Sequence, residues 1–428
     1  MIKKIVIAIV CFAAMGANAQ NGTVSPYSYF GIGDIRPTAT IENQMMAGLG
    51  MYADSIHVNL QNPAAYGKLR RTVYAAGISY NQLSLNSATA KESNQIVNLD
   101  YLSLGFNVGK GLGLGFGIKP YTSVGYNILS ESTTTNEDGT ESNVTNQYSG
   151  EGGLNKVYVS LGYQITKNLS IGVTSSFNFG TINNLRTQII ENVQFGALDD
   201  RTSTINGLDF NYAVNYTPTI KDKYTLYTSA RVNTQANLSA RNTQEIGSFS
   251  TSTGGNIEII DVDLEARGLK ETGLTIPTTA TLGLGFGENK KWFLGAEYSF
   301  QGLSSFTNDF IDVDNLSYQD ASTVAFGGYF IPDYTSFNNF LKRITYRAGV
   351  RMEKTGMIVN NTEIDNFGIT FGLGLPLSFT SSGFSNINLG FEIGKRGTTD
   401  MMLIQENYFK INVGLSLNDR WFQKRKIN

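Results

Sequence analysis

Strict alternation between apolar and polar side chains constrains this chain more than any other feature of its sequence. It is clearest at residues 408–418, and it recurs at residues 386–394 and 157–165. Side chains of a β-strand point alternately to the two faces of a sheet, so each stretch has one apolar and one polar face. A barrel strand in a membrane needs both faces, one for lipid and one for the lumen. A strand of a soluble β-sandwich also alternates, so this pattern alone predicts strands of either fold.

About fourteen such segments follow one another along the chain, and an even number suits a closed antiparallel sheet. They are centred near residues 76, 104, 116, 160, 174, 212, 231, 281, 297, 325, 348, 371, 390 and 413. The links between them are predicted to alternate in length, which a sandwich does not require. The links predicted to be long lie at residues 84–97, 128–150, 187–203, 239–274, 302–317, 354–364 and 395–406. We therefore predict an all-β fold, a single transmembrane antiparallel β-barrel over residues 71–420.

The start of the chain predicts export. Lys3 and Lys4 precede an apolar run, and Ala17-Asn18-Ala19 is a cleavage pattern, so residues 1–19 are predicted to be a signal peptide. Beyond it there is no apolar run of about 18 residues, which excludes a spanning helix. The expected location is the outer membrane, with both termini in the periplasm and residues 421–428 as a periplasmic tail.

Composition excludes several classes of function. The single cysteine, Cys11, lies in the predicted signal peptide, so neither a disulfide nor a thiolate metal site is expected. The formal net charge is −2 and there is no large basic cluster, so nucleic acid is not an expected partner. His57, the one histidine, precedes the first strand, and no GxSxG motif is present. We therefore expect no enzyme activity and no cofactor.

Two glycine-rich stretches superficially resemble phosphate-binding loops. GLGLGFG at 111–117 and LGLGFG at 282–287 place glycine at every second position, whereas a dinucleotide loop needs irregular spacing and a following helix. We predict that these glycines face the lumen and leave space for whatever fills it.

Charged side chains offer two further candidate sites. The acidic residues Asp261, Asp263 and Glu265 are possible calcium ligands, but alternate acids are also typical of an exposed hairpin strand, and we favour that interpretation, with no metal bound. Four charged residues of late strands are predicted to form a structural network on the lumen wall: Arg347, Arg351, Glu392 and Lys410.

Residues 20–70 contain many large apolar side chains without sustained alternation. So much apolar surface would not stay exposed in the periplasm. A barrel of about fourteen strands has a lumen wide enough to hold a plug. We therefore predict that residues 20–70 form a hatch inside the barrel.

At the end of this segment the chain resembles the FadL-type family of outer-membrane long-chain fatty-acid and aromatic hydrocarbon transporters. Asn62, Pro63 and Ala64 match the Asn-Pro-Ala motif that ends the hatch of that family. The layout of signal peptide, hatch and fourteen strands also matches. The end of the chain differs from the usual terminal aromatic residue, and Trp421 and Phe422 are the candidates for that role.

The resemblance implies passive uptake of hydrophobic compounds, with membrane lipid and lipopolysaccharide as surroundings and a hydrophobic small molecule as ligand. It implies that Asn62, Pro63 and Ala64 act in gating, and that a kinked strand opens the wall sideways. Pro120 and Gly117, in the third strand, are our candidates for that lateral gate, because proline removes a donor from the ladder.

Two alternatives remain open. Proteins similar to this family also serve as subunits or partners of outer-membrane protein secretion or assembly complexes, and the polar stretch at residues 130–150 favours that role. A general porin is the third hypothesis, which a folded hatch argues against. An apolar groove among the outer links would favour transport.

Overall fold

The computed structural model of the chain describes residues 22–135, 139–311, 315–377 and 385–419. The predicted signal peptide, the predicted C-terminal tail, and Trp421 and Phe422 lie outside the described residues. In the part that is described, no helix is long and apolar enough to cross a bilayer.

Within the described residues, fourteen antiparallel strands close into a barrel, as predicted. The first and last strands pair from Thr72 with Asp419 to Asn86 with Gln405, and this pairing closes the wall. In chain order the strands are Thr72–Asn86; Lys91–Gly109; Leu112–Pro120 with Thr122–Thr135; Glu141–Gln164; Leu169–Ile190; Phe195–Tyr216; Tyr224–Asn233 with Ala236–Ser250; Asn256–Asp261, Glu271–Ile276 and Thr279–Glu288; Trp292–Gln301 with Thr307–Asn308; Leu316–Tyr318 with Ala321–Phe330; Thr345–Val359; Thr362–Pro376; Asn386–Arg396; and Gln405–Asp419.

Shorter elements complete the fold. Two of them are α-helices of a single turn, Ile41–Gln44 and Phe340–Arg343. The remaining ones are the 3-10 helices Pro26–Tyr29, Pro63–Lys68, Leu303–Ser305 and Asp400–Met402, and the short strands Asp34–Ile35 and Thr219–Ile220.

The alternating pattern sorts side chains between the two faces of the wall. In the fourth strand Val157 and Val159 are 43% and 52% exposed, whereas Tyr158 and Ser160 are each 2% exposed. The outward apolar side chains of this strand lie in the half that ends at Gln164. The prediction that apolar side chains face outward and polar ones inward is therefore confirmed here.

The two ends of the barrel differ. At one end, which we call the short-turn end, the first strand begins, the last strand ends, and neighbouring strands are joined by tight connections such as the one between Gly109 and Leu112. At the opposite end, the hairpin end, the third to eighth strands continue well beyond the apolar band.

The prediction of long loops at this hairpin end is wrong for most of the links. Residues 128–150, 187–203 and 239–274 are mainly extended hairpin strands, and residues 354–364 contain a two-residue turn at Asn360 and Asn361. Outside the lipid band neither face of a strand needs to be apolar, so alternation stops although the hydrogen-bonded ladder continues. The sequence pattern then looks like a loop.

Residues 22–71, which we call the N-terminal segment, lie inside the barrel, since their contacts run round its whole inner wall. Met45 lies against Gly372 and Gly390, and Met46 lies against Gly327 and Gly349. Each of the four buried hydrophobic clusters in the described chain includes at least one side chain of this segment. The barrel and the segment thus share one interior.

Candidate functional site

A 3-10 helix in the N-terminal segment, Pro63–Lys68, lies directly against the inner wall. The strand residues beneath it are glycines. A methyl group on Gly113 would lie 1.9 Å from the carbonyl oxygen of Tyr66, and one on Gly172 would lie 2.3 Å from the carbonyl carbon of Pro63. Only glycine allows backbone to approach backbone so closely. The first glycine-rich stretch therefore leaves space for the material inside the barrel, as predicted.

The Asn-Pro-Ala motif at residues 62–64 is fully buried at the start of this helix. The Nδ2 atom of Asn62 lies 3.0 Å from the carbonyl oxygen of Gly50, 2.9 Å from Oδ1 of Asn215 and 3.2 Å from Oγ of Ser229. Its two N–H groups therefore link the N-terminal segment to itself and to two neighbouring strands. These contacts describe an anchor, and the gating role of the motif stays a prediction.

A buried ion pair holds the segment from another side. Arg231 donates to Glu297 with an N–O distance of 2.6 Å, and both side chains are less than a tenth exposed. The other carboxylate oxygen of Glu297 accepts the backbone N–H groups of Gly50 and Met51 at 3.0 and 2.6 Å. Charge-assisted hydrogen bonds of this kind are among the stronger ones in proteins. One strand carboxylate thus fixes two successive backbone groups of the segment.

The third strand is interrupted between Pro120 and Thr122. Toward the short-turn end it pairs with the second strand as far as Leu102 and Ile118. Toward the hairpin end, the described residues of these two strands form no ladder with each other. The short strand Asp34–Ile35 of the N-terminal segment pairs with the third strand there instead. The wall therefore has a gap between its second and third strands.

Arg36 joins the two edges of this gap. Its guanidinium lies 3.2 Å from Oδ1 of Asp100 on the second strand, and its backbone N–H donates to the carbonyl oxygen of Tyr121 at 2.9 Å. Gly117 lies within the paired part of the third strand, so the break follows Pro120 and does not occur at Gly117. The lateral-gate role of both residues stays a prediction.

Several cavities flank the N-terminal segment, and two of them are lined by many charged side chains. One, of about 420 Å³, has a strongly charged wall. The ion pairs at or beside it are Arg36–Asp100, Lys156–Asp209, Arg231–Glu297, Arg351–Glu392 and Arg396–Asp34. The other, of about 710 Å³, is at the short-turn end beside Lys68, and we call it the short-turn cavity.

Solved structures of similar architecture exist at low sequence identity. The Ralstonia pickettii toluene transporter TbuX is 13% identical, with a TM-score of 0.57 over 90% of this chain and 98% of that one. The Pseudomonas putida toluene transporter TodX is 15% identical, with a TM-score of 0.57 over 92% of this chain and 100% of that one. A Pseudomonas aeruginosa FadL homologue is 12% identical, with a TM-score of 0.55 over 90% and 98%. These likenesses show a FadL-like barrel fold, which resembles outer-membrane barrels.

Sequence comparison decides the family. No curated protein matches the sequence. The sequence model of the BamG family, however, matches residues 1–428, the whole chain. The chain belongs to the BamG family. The expected resemblance to FadL-type proteins therefore holds for the fold, while the sequence itself matches the BamG family.

In this BamG-family barrel His57 is part of a local ion pair. Its Nδ1 atom lies 2.6 Å from Oδ2 of Asp54, and Oδ1 of Asp54 accepts the backbone N–H groups of Ile56 and His57. Burial favours the neutral imidazole, but the Asp54 carboxylate outweighs burial and raises the pKa of His57. Burial likewise opposes ionisation of Asp54, yet the pairing lowers the pKa of Asp54. The pair closes a loop at the wall of the short-turn cavity, and no serine hydroxyl bonds to His57 among the described contacts.

The candidate calcium ligands do not converge in the BamG-family structure. Asp261 ends a strand, Asp263 accepts the backbone N–H of Glu265, and Glu265 pairs with Lys270 at 2.7 Å. Among the residues described, no group of three or more acidic, histidine or cysteine side chains is arranged to hold a metal ion.

Of the four late-strand charges, Arg351 and Glu392 pair at 2.9 Å, while Arg347 donates to Asn388 and, among the described residues, no carboxylate accepts from it. Arg36 and Asp100 were not predicted from the sequence. They are 64 positions apart, and no local pattern marks such a pair.

Proposed function

We propose that this BamG-family chain is a non-transporting FadL-like barrel, and that it acts as a subunit or partner in an outer-membrane protein complex. In this proposal the short-turn end faces the periplasm. The observation that carries it is the fixed N-terminal segment, which is held by the Arg231–Glu297 pair and by the buried amide of Asn62. The family name also points to outer-membrane protein partners.

The charged interior argues against a route for hydrophobic compounds. A hydrophobic ligand in the 420 Å³ cavity would displace water from pairs such as Lys156–Asp209 and Arg396–Asp34 without replacing its hydrogen bonds. Removing water from charged groups in this way is costly. A conduit for such ligands needs apolar walls along its length.

The extended hairpins offer a protein-binding surface in this proposal. The fourth strand, Glu141–Gln164, is 24 residues long, and the fifth and sixth strands are 22 residues each. Their outer halves are rich in Ser, Thr and Asn, and they stand clear of the lipid band. A polar sheet surface of this kind suits contact with another protein.

Purification of the tagged full chain from its native outer membrane in mild detergent tests the proposal. We expect a stoichiometric set of outer-membrane proteins to copurify, and we expect a deletion strain to take up a hydrophobic tracer at the wild-type rate. A chain that purifies alone, together with a deletion strain that loses uptake, would overturn the proposal.

A second candidate is passive uptake of hydrophobic compounds, such as long-chain fatty acids or aromatic hydrocarbons, with lateral exit. The gap after Pro120 favours it, as does an apolar hollow of about 660 Å³ on the outer wall near the paired part of the second and third strands, lined by Leu102, Phe116, Ile118 and Val159 among others. Tracer uptake that is lost in the deletion strain, restored by the wild type and not restored by Pro63→Gly would establish it.

A further inference from the structure

The short-turn cavity has a mostly basic wall. Basic side chains from five separate elements line it: Lys68, Arg70, Arg71, Lys167, Lys290, Arg343 and Arg347. The acidic residues of the wall are Glu42 and Asp54. Asp54 already pairs with His57, and Glu42 accepts the amide of Asn388 at 2.8 Å. The wall therefore carries a large excess of positive charge.

Three of these cations, Lys68, Arg343 and Arg347, are half-buried. Within the described chain no carboxylate oxygen lies within 4.0 Å of any of these three, whereas Arg36, Lys156, Arg231, Arg351 and Arg396 each have one at 3.2 Å or less. A partly buried cation without a counter-charge is costly to keep. The half-buried cations of the short-turn cavity therefore lack the counter-charge that these five interior cations have.

The free-energy cost of a partly buried, unpaired cation is clearest at Lys68. It lies at the end of the Pro63–Lys68 helix and donates to the hydroxyl of Thr217. Burial lowers the pKa of Lys68 to about 8, with a contribution from neighbouring Arg70 and against the effect of Asp54. A ligand carboxylate beside it would relieve this penalty.

The arrangement fits a chain of carboxylates better than a single anion. The cations belong to the N-terminal segment, the turn after the fourth strand, the turn after the eighth strand, the Phe340–Arg343 helix and the eleventh strand, so no one point collects them. Tyr52, Tyr227, Tyr329 and Tyr334 also line the cavity and supply apolar rings with hydroxyl groups. Its volume of about 710 Å³ is in the range of sites that enclose a ligand. It lies among turn residues at the end of the barrel, away from the lipid band.

We propose that the short-turn cavity binds an acidic segment of a partner polypeptide, with the wall cations pairing with its carboxylates. This inference rests on the proposed partner function, because it assigns one contact of that partnership. The occupant is a peptide and not a lipid headgroup, since the cavity lies among turn residues within the ring of strands and away from the lipid-facing surface of the wall.

The test uses the full chain in nanodiscs and a short fluorescein-labelled peptide of alternating Glu and Ser. The matched probe replaces Glu by Gln. The triple variant Lys167→Gln, Lys290→Gln, Arg343→Gln removes three cavity charges, and the control variant Arg267→Gln, Lys354→Gln, Lys395→Gln removes three exposed charges near the hairpin end. Folding of each is checked by the mobility shift of the unheated barrel on a denaturing gel.

We expect the wild type and the control variant to bind the Glu peptide and not the Gln peptide, and binding to weaken with salt. The triple variant should bind at least about tenfold more weakly. Equal binding by the folded triple variant would overturn the inference. The inference would also be overturned if the protein left the anisotropy of the labelled Glu peptide unchanged but bound phosphatidylglycerol vesicles. Copurification of partner proteins with the wild type is a separate measurement, and its absence counts against the proposed function. Binding of the Glu peptide by itself tests whether the short-turn cavity binds an acidic segment.

Discussion

Glycines on the inner wall allow the N-terminal segment to pack backbone to backbone with the strands. Gly113 and Gly172 lie under the Pro63–Lys68 helix, and Gly349 lies under Met46 and the following residue. A closely packed interface of this kind has no room for one extra methyl group. Single glycines are therefore sensitive reporters of how tightly the segment is held.

Gly172→Ala should lower the free energy of unfolding by about 1–3 kcal/mol, because its methyl group would overlap the backbone of Pro63. Gly273→Ala is the matched control, since no atom lies within 4 Å of its methyl position, and it should change stability by less than about 0.5 kcal/mol. The temperature at which the folded band disappears on an unheated gel measures both. Equal effects would mean that the helix does not press on the wall.

The His57–Asp54 pair predicts a pH dependence. The folded chain holds the His57 proton more tightly than the unfolded chain, so the contribution of His57 is complete below the ordinary histidine pKa of about 6.5 and is lost as pH rises through its raised pKa. The contribution of Asp54 is lost as pH falls through its lowered pKa.

His57→Asn should therefore destabilise the chain by about 1–3 kcal/mol near neutral to mildly acidic pH, and the difference from the wild type should close at alkaline pH. Denaturant unfolding of both proteins across this pH range gives the measurement. A difference that stays constant with pH would show that His57 acts through packing alone.

At the scale of elements, the lipid band decides what the sequence predicts well. Each of the fourteen predicted centres lies in a different strand, because lipid imposes alternation on that part of every strand. The hairpin extensions were not predicted, since residues such as Thr133 and Asn146 face water on a polar sheet. The sequence there does not alternate between apolar and polar side chains. The ladder that continues there is made of backbone bonds, which no side-chain pattern records.

The candidate site was predictable only where one short motif carries it. The pre-proline geometry of Asn62 and its bond to a backbone carbonyl follow from local chemistry. The Arg36–Asp100 contact across the wall depends on the closure of the whole barrel. Pro120 marked the interruption of the third strand, but the pairing of Asp34–Ile35 beside it had no sequence signal.

Arg36→Ala should loosen the gap in the wall. Ser123, at the edge of this gap, is 5% exposed, so Ser123→Cys should react slowly with a maleimide in the otherwise unchanged chain. Loss of the charged hydrogen bonds of Arg36 should raise that rate by about tenfold. Lys91→Ala, which removes an exposed cation of the same strand as Asp100, is the control. An unchanged rate in the Arg36 variant would show that other contacts close the gap.

At the scale of the whole molecule, the N-terminal segment and the barrel depend on each other. Ile32, Ile41, Met46 and Tyr27 each belong to a different one of the four buried clusters. Without the segment, the inner wall would keep glycine-lined hollows and lose partners such as Arg36 for Asp100. The segment is part of the structural core of the molecule.

Deletion of residues 22–70 should prevent formation of the heat-resistant folded barrel. Removal of residues 251–255, an exposed hairpin tip, is the control and should leave folding intact. The fraction of chain that shifts mobility on heating measures the outcome. A folded and conducting barrel after the first deletion would show that the segment is a removable plug, which would also favour the uptake function.

The unequal strand lengths give the molecule a front and a back. A strand of 22 residues is about 75 Å long, so at the usual tilt of a barrel strand it rises roughly 30 Å above an apolar band of about 25 Å. The ninth and tenth strands, whose main segments have 10 residues each, barely exceed that band. A neighbour beside the tall strands is touched both within the bilayer and above it, whereas one beside the low strands is touched within the bilayer alone. As the molecule diffuses laterally in the membrane, its encounters with neighbours are therefore not equivalent in all orientations. Only a neighbour on the side of the tall strands makes contact both within the bilayer and above it.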